Sequence, residues 1–218
     1  MSLPLFELRA LHYAYAAQDA VLQNINFELR AGERVGLVGN NGSGKTTLLQ
    51  IFVGLLTPQQ GEIIAFGKPR IKEADFWEVR LKTGFLFQDP DDQLFCPTVA
   101  EDVAFGVFNQ GKPRAEVLRI VEETLALLGL SAYAERVTHK LSFGEKRLVA
   151  LATILAMQPE VLLLDEPTTG LDEQVCARIT QILQQLPQAM LIVSHDKEFL
   201  QQLQVQPWQL RAGQLERV

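Results

Sequence analysis

Two features are scarce in this sequence of 218 residues: long apolar runs and cysteines. The longest apolar run, LVALATILAM at residues 148–157, has about half of the roughly 20 residues that a helix needs to span a bilayer. The N-terminal segment carries Glu7 and no unbroken apolar stretch, so no signal peptide is predicted. If the protein serves a membrane, another polypeptide is expected to cross it.

The two cysteines, Cys96 and Cys176, are far apart, and their spacing is not that of a metal site. They are typical of free thiols in a reducing cytosol. Positive charge is also scarce: the sequence has 20 Lys and Arg residues and 26 Asp and Glu residues, and its net charge is −6. A protein that coats nucleic-acid phosphates needs clustered Lys and Arg, so no nucleic acid is expected as a partner.

Several patterns indicate an α/β protein. Alternating apolar residues at 5–11 and 25–31 predict short strands. Continuous apolar runs at 161–165 and 189–193 alternate with helical patterns, which predicts a parallel sheet covered on both faces.

The chain is predicted to form one domain with an insertion. After Gln88 the pattern changes to that of helices, and Pro113 stands at the start of the second one. We predict a core at about 1–89 and 142–218, interrupted by a mostly helical segment at about 90–141. Little sequence follows the last core elements, so no regulatory module is expected.

Residues 39–46 read Gly-Asn-Asn-Gly-Ser-Gly-Lys-Thr and fit the P-loop pattern G-x-x-x-x-G-K-[ST]. The glycines let backbone N–H groups turn around phosphate oxygens, and the following helix offers its positive end. Lys45 would supply charge to the β- and γ-phosphates, and the Thr46 hydroxyl could bind Mg²⁺. The alternative is a tight glycine turn that binds nothing, which a strand before the motif and a helix after it make the weaker interpretation.

A second motif lies about 120 residues downstream. Val161–Asp165 is a buried-strand pattern that ends in a carboxylate, as in the Walker B motif. Asp165 would face the P-loop and hold Mg²⁺, and Glu166 is the natural general base or orienter for the attacking water. Asp-Glu-Pro after a strand could be merely a turn and the start of a helix. In a chain that also has a P-loop, it indicates an NTPase.

The order of five further motifs resembles the ABC (ATP-binding cassette) ATPase family over essentially the whole chain. Leu141-Ser142-Phe143-Gly144-Glu145 resembles the signature LSGGQ and stands at the head of a predicted helix. The other four are Gln88 as the Q-loop glutamine, Thr169-Gly170-Leu171-Asp172 as the D-loop, His195 as the switch histidine and Tyr15 as the aromatic residue that stacks on adenine. Tyr13 is the rival for Tyr15, because an alternating strand would point both the same way.

This resemblance implies a P-loop NTPase (RecA-like) core with an antiparallel β subdomain and an inserted helical subdomain. It also implies a head-to-tail dimer, in which the P-loop of one subunit and the signature of the other close on each ATP. The ATP-binding residues would be Tyr15, Gly39, Asn40, Asn41, Gly42, Ser43, Gly44, Lys45, Thr46, Thr47, Ser142 and Gly144. The catalytic residues would be Lys45, Gln88, Glu166 and His195, and the Mg²⁺ ligands Thr46, Gln88 and Asp165.

The signature departs from the family pattern, since Phe143 replaces the first glycine and Glu145 replaces glutamine. Phe143 can still offer its backbone N–H to a phosphate, so activity is expected to survive. Glu145 adds negative charge near a helix start, which favours the helix but not a nearby phosphate.

The segment from Phe87 to Phe95, FQDPDDQLF, closely resembles the Q-loop region of energy-coupling-factor and cobalt/nickel importer ATPases. The implied partner is a multi-span transmembrane subunit, and the implied location is peripheral, at the cytoplasmic face of the cell membrane. The transported solute would be cobalt or nickel ions or a vitamin. The alternative is a soluble, non-transport ABC ATPase that acts on a macromolecule.

Overall fold

A computed structural model describes residues 3–16 and 19–218; residues 1, 2, 17 and 18, which the predicted core includes, lie outside the described residues. The strands are β1 (Phe6–Ala14), β2 (Ala20–Leu29), β3 (Arg34–Val38), β4 (Gln60–Ala65), β5 (Lys68–Pro69), β6 (Thr83–Leu86), β7 (Val161–Asp165), β8 (Ala189–Val193), β9 (Gln206–Arg211) and β10 (Gln214–Arg217). The helices are α1 (Lys45–Phe52), α2 (Phe76–Lys82), α3 (Val99–Asn109), α4 (Arg114–Leu127), α5 (Phe143–Ala156), α6 (Glu173–Gln185) and α7 (Lys197–Gln202).

The larger sheet has six strands in the order β10-β9-β3-β8-β7-β6. β10 pairs antiparallel with β9, and the other neighbouring strands are parallel. All residues of β7 and β8 are buried, as expected for strands covered by helices on both faces. Because parallel strands end at one edge, the loops after β3, β6, β7 and β8 lie together there.

The smaller sheet, β2-β1-β4-β5, is antiparallel. Its apolar side chains share a core with α1 and one face of the larger sheet. Phe52 of α1 packs edge-on against Phe6 and Phe27, with ring centroids 5.0 and 5.8 Å apart. The helix that follows the P-loop is therefore fixed between the two sheets.

The helices α3 and α4 pack beside α5 and share its apolar core. Asp102, buried in α3, accepts hydrogen bonds from the backbone N–H groups of Phe95 (3.0 Å) and Cys96 (2.9 Å). Its other oxygen accepts the hydroxyl of Thr138 at 2.9 Å. Asp102 thus joins the segment that follows Gln88 to the turn that precedes α5.

The predicted α/β class is confirmed. The helices α3 and α4 fall inside the predicted insertion, while its boundaries at 90 and 141 remain a prediction. Five short elements, α2, α7, β5, β9 and β10, were not predicted, because each has too few buried residues to give a clear periodic pattern. Among the described helices, none combines the length and apolar character that a bilayer crossing requires.

Candidate nucleotide-binding and catalytic site

The loop 39–44 connects β3 to α1 in a conformation that requires glycine at two positions. A Cβ on Gly39 would lie 2.4 Å from the backbone oxygen of Leu210, too close for any side chain. Gly44 precedes α1 with φ near 101°, in the left-handed region, and a Cβ there would lie 2.7 Å from Val21. The first N–H groups of α1 have no carbonyl partner within the helix, so this end of the helix can bind an anion.

Lys45 lies folded against its own loop. Its Nζ donates to the carbonyls of Gly39 (2.8 Å) and Asn40 (3.0 Å), and the side chain is buried. Burial lowers the pKa of Lys45, while the carboxylates of Glu166 and Asp165 act in the opposite direction. Phosphate oxygens would offer this ammonium group a stronger acceptor than two neutral carbonyls.

Thr46 and Asp165 bring the two motifs together, since Thr46 Oγ1 donates to Asp165 Oδ2 at 2.7 Å. Asp165 Oδ1 is buried and has no hydrogen-bond partner among the described residues, and burial raises the pKa of this carboxyl. A cation beside Oδ1 would compensate the buried charge, and carboxylate and hydroxyl oxygens are ligands that suit Mg²⁺.

No cage of three or more His, Cys, Asp or Glu side chains exists within 3–16 and 19–218. Mg²⁺ is commonly held in proteins by one or two carboxylates together with the phosphates of a nucleotide. The Thr46–Asp165 pair fits that mode of binding.

Glu166 is held in a strained backbone conformation. Its φ is 48°, in the left-handed region that residues other than glycine rarely occupy, and its N–H donates to Val193 O at 2.9 Å. Such strain persists where the surroundings enforce it and is frequent at active sites. Glu166 follows the last residue of β7 and lines the cavity described below.

The Glu166 carboxylate has neighbours on two loops. Oε2 accepts the Thr169 hydroxyl at 2.9 Å and the backbone N–H of His195 at 3.4 Å. His195 Nε2 lies 3.1 Å from Oε1 without the alignment of a hydrogen bond, so Oε1 keeps its lone pairs available. A carboxylate oriented by a hydroxyl and next to an imidazole can position and deprotonate a water molecule.

Tyr15 and Tyr13 have different surroundings. Tyr15 follows the end of β1, is 39% exposed, and shares a hydrogen bond with the Thr47 hydroxyl at 2.9 Å. Tyr13 is 7% exposed and belongs to the core between the sheets. The register of β1 shifts between Tyr13 and Ala14, where the strand ends, so simple alternation does not extend to Tyr15. Tyr15 is therefore the ring available to a base.

One cavity of about 530 Å³ joins these groups. The predicted residues that line it are Tyr15, Asn41, Gly42, Gly44, Lys45, Thr46, Thr47, Gln88, Asp165, Glu166 and His195, and Thr169 of the predicted D-loop lines it as well. The predicted residues Gly39, Asn40 and Ser43 belong to the same loop without lining the cavity. Sequence reasoning missed Val21 and Val193, which line it too; apolar strand residues carry no signal that separates a cavity wall from a core.

Ser142 and Gly144, also predicted to bind ATP, do not line this cavity. Ser142 caps α5: its backbone N–H and hydroxyl both donate to Glu145 Oε2 at 2.8 Å, and Glu145 N–H donates to Ser142 Oγ at 3.3 Å. The pKa of Glu145 is lowered by the Ser142 backbone hydrogen bond. Glu145 thus stabilises the helix start, and Ser142 remains exposed.

The family model described as "ABC transporter" matches residues 22–169. A putative ABC transporter ATP-binding protein of Brucella suis is 54% identical over 195 residues, which cover 89% of this chain and 81% of that protein. The energy-coupling factor transporter ATP-binding protein EcfA of Methanothermobacter thermautotrophicus is 45% identical over 215 residues, covering 97% of this chain and 69% of that protein.

Two solved structures have the same fold. CbiO1 of Clostridium perfringens, described as part of the ABC transporter complex cbiONQ, superposes with a TM-score of 0.86 at 34% identity, covering 97% of this chain and 86% of that one. The ATP-binding cassette MJ0796, a dimer bound to ADP and Pi in a post-hydrolysis state, gives a TM-score of 0.87 at 27% identity and covers 97% of both chains.

Proposed function

The chain belongs to the ABC transporter family of ATP-binding subunits, and we propose that it energises an importer of the energy-coupling-factor type. ATP with Mg²⁺ is its substrate, and its hydrolysis is coupled to transport. The proposal adds a location at the cytoplasmic face of the cell membrane, a multi-span membrane subunit as partner, and a solute that is cobalt or nickel ions or a vitamin.

We assign the chemistry of hydrolysis to the residues around the cavity. Lys45 exchanges the carbonyls of Gly39 and Asn40 for phosphate oxygens, and Tyr15 stacks on the adenine. Glu166 Oε1 accepts a proton from the attacking water, which His195 helps to orient. Thr46, Asp165 and Gln88 hold the Mg²⁺ that neutralises charge on the phosphates when it is bound.

A second subunit completes each site in this proposal. No residue of the signature, 141–145, lines the cavity of its own chain. Ser142 and Gly144 lie at the start of α5, where Ser142 is exposed. A head-to-tail dimer would bring the start of α5 to the γ-phosphate bound by the partner subunit. The dimeric cassette MJ0796 supports this arrangement.

The observation that carries the importer proposal is an apolar groove on the other side of the Q-loop. The groove has a volume of about 310 Å³, and its apolar walls include Leu55, Phe85, Phe87, Phe95, Phe105 and Met157. We call it the docking groove. Phe95 is 66% exposed, and its ring meets the ring of Phe105 edge-on with centroids 4.8 Å apart. Clustered exposed aromatic side chains of this kind mark protein–protein contacts.

The occupant proposed for the docking groove is a cytoplasmic helix of the membrane subunit. The groove lies beside Gln88 and Asp92, so an inserted helix would contact the segment that also reaches the nucleotide cavity. EcfA and CbiO1 are similar to this chain over 97% of its length. EcfA is an energy-coupling factor transporter subunit and CbiO1 is part of the cbiONQ complex, which supports the energy-coupling-factor type and, with the Q-loop resemblance, the proposed class of solute.

Affinity purification from gently solubilised native membranes tests the proposal. The tagged native chain is expected to recover a multi-span protein together with a small substrate-binding membrane protein, both identified by mass spectrometry. Phe105→Asp should lose them, because a charge would enter the apolar groove. Leu127→Asp, at another exposed apolar site on α4, should retain them. Recovery of soluble partners alone, or ATPase stimulation by nucleic acid or ribosomes, would instead favour a non-transport ATPase.

A further inference from the structure

Arg147 is a charged residue in the interior whose role the hydrolysis scheme leaves open. It lies in the second turn of α5, is 0% exposed, and is the largest fully buried side chain in the described part of the chain. The residues that follow it in the helix, Leu148, Val149, Ala150 and Leu151, are buried and apolar. An apolar side chain of similar length would therefore suit the packing at this position.

The guanidinium forms no ion pair with any carboxylate in 3–16 and 19–218, and its Nε has no hydrogen-bond partner there. Burial lowers the pKa of Arg147, and the negative charges of Asp89, Asp165 and Glu166 oppose this at longer range. A buried charge without a direct counter-ion is destabilising, and replacing buried ionic groups by apolar ones is often neutral or stabilising. Folding stability alone does not account for an arginine here.

The hydrogen bonds of Arg147 both go to the Q-loop. Nη1 donates to the carbonyl of Phe87 at 2.5 Å, and Nη2 donates to the carbonyl of Gln88. A planar guanidinium with two donors on adjacent carbonyls fixes the orientation of the peptide between them. The Cζ atom also lies 5.6 Å from the ring centroid of Phe143, the signature residue one turn earlier in α5.

Arg147 contacts the backbone of Gln88, whose side chain lies at the nucleotide cavity. It is exposed, lines the nucleotide cavity beside Thr46 and Asp165, and forms no side-chain hydrogen bond within the described residues. Two other side chains also join the Q-loop to α5. Lys146 binds Asp91 at 2.6 Å, and Gln93 donates to Ala150 O at 2.8 Å while accepting the Phe87 N–H at 3.2 Å.

We propose that Arg147 is a positioning residue for the ATPase reaction: it fixes the Phe87–Gln88 backbone to the signature helix and so keeps the Gln88 side chain beside Thr46 and Asp165. The inference rests on the role assigned to Gln88 in the proposed function. It predicts that loss of Arg147 reduces the effect of Mg²⁺ on nucleotide affinity and on the ATPase rate. The fold and the binding of ATP by the P-loop should persist.

The test compares Arg147→Met with the native chain. Three quantities are measured: Tm, the affinity for a fluorescent ATP analogue with and without Mg²⁺, and the ATPase rate as a function of Mg²⁺ concentration. We expect a Tm equal to or above that of the native chain and unchanged binding without Mg²⁺. The gain in affinity that Mg²⁺ gives should shrink, and kcat should fall between about tenfold and a hundredfold, as for a misplaced reacting group.

Arg34→Met is the matched control, because Arg34 also donates to backbone carbonyls, those of Gln184 (3.0 Å), Leu186 (2.8 Å) and Leu203 (3.4 Å), but away from the cavity. It should lower Tm and leave the Mg²⁺ dependence unchanged. Arg147→Lys keeps the positive charge but not the two planar guanidinium donors. It should restore part of the effect of Mg²⁺ on nucleotide affinity.

Two results would overturn the proposal. If Arg147→Met lowers Tm as Arg34→Met does and keeps the native Mg²⁺ response, Arg147 is a structural residue and the assignment of Gln88 is unaffected. If the native chain itself binds the nucleotide equally with and without Mg²⁺, the assigned Mg²⁺ site fails, and the inference about Arg147 fails with it.

Discussion

The nucleotide cavity and the docking groove border the same Q-loop segment and differ in the residues that line them. Most residues that line the cavity are polar or charged, and the carboxylate of Asp165 is buried with one oxygen that has no partner among the described residues. The groove is apolar, and its most prominent side chain, Phe95, is mostly exposed. The cavity therefore suits a small charged ligand, whereas the groove suits the surface of another protein.

One short segment of the chain borders both sites. Gln88 lines the cavity, while Phe87, Gln93 and Phe95 line the groove. The helix α5 holds the segment through Arg147 and Lys146 and begins with the signature residues. A partner that moves Phe87 or Phe95 in the groove wall would therefore also move the backbone of Gln88, which lines the nucleotide cavity.

Glu166→Gln should affect the cavity alone. The amide cannot accept a proton from water, so we expect the ATPase rate to fall by about 10² to 10⁴. Binding of ATP should persist, because Lys45 and the P-loop are unchanged. The ATPase rate is measured by phosphate release, and ATP binding is measured with a nucleotide-binding assay. Glu160→Gln, at the opposite end of β7 and on the surface, is the control; a native rate in the Glu166 variant would remove Glu166 from the role of general base.

Phe95→Ala should affect the groove alone. If Phe95 is a central contact of the membrane subunit, its loss should weaken association by about 2 kcal/mol, or roughly 30-fold in Kd. The ATPase rate of the isolated chain should not change. Association with the purified membrane subunit can be measured by surface plasmon resonance, with Leu118→Ala on the exposed side of α4 as the control. Equal affinities for both variants would contradict the proposed docking site.

Thr138→Val tests the link between the groove wall and the turn before α5. It removes the hydroxyl that donates to the buried Asp102 while keeping the side-chain volume. A buried oxygen left without its donor should cost about 1.5 kcal/mol, which corresponds to a fall in Tm of about 3 to 6 °C for a domain of this size. Thermal unfolding measures the change. Thr138→Ser should behave as the native chain, and an equal loss in both variants would assign the effect to packing.

Phe143→Gly should have the smallest effect. The backbone N–H at this position is present with either residue, and the Phe143 ring is 41% exposed, so the ATPase rate should change by less than about fivefold, which corresponds to about 1 kcal/mol. The rate is measured at saturating ATP, where dimers are expected. A large gain in activity would show that the native signature is compromised by its phenylalanine.

Several sequence predictions agree with the structure because their signals are local. The continuous apolar runs of β7 and β8 are buried parallel strands. The P-loop pattern lies between a strand and a helix, as its chemistry requires. The site roles assigned to individual residues remain predictions, although the structure brings most of them to one cavity. The short helix α2 and the strands β9 and β10 escaped prediction, because few of their residues are buried.

Arg147 and Tyr15 show where sequence reasoning stops. An arginine inside an apolar helical pattern is visible in the sequence, but its partners, Phe87 and Gln88, are about 60 residues away along the chain. Tyr15 and Tyr13 are equivalent by alternation alone. The end of β1 at Ala14 and the packing of Tyr13 in the core distinguish them.

The family, the nucleotide and the order of the motifs can be read from the amino-acid sequence, because glycines, a lysine and strand-terminal carboxylates act through the local backbone that carries them. The packed fold is needed to see which tyrosine reaches the cavity, how Glu145 caps the signature helix, and that a buried arginine joins that helix to the Q-loop. It is also needed to see that exposed phenylalanines gather in one groove. These features depend on contacts between distant segments, which exist only when the sheets and helices pack together.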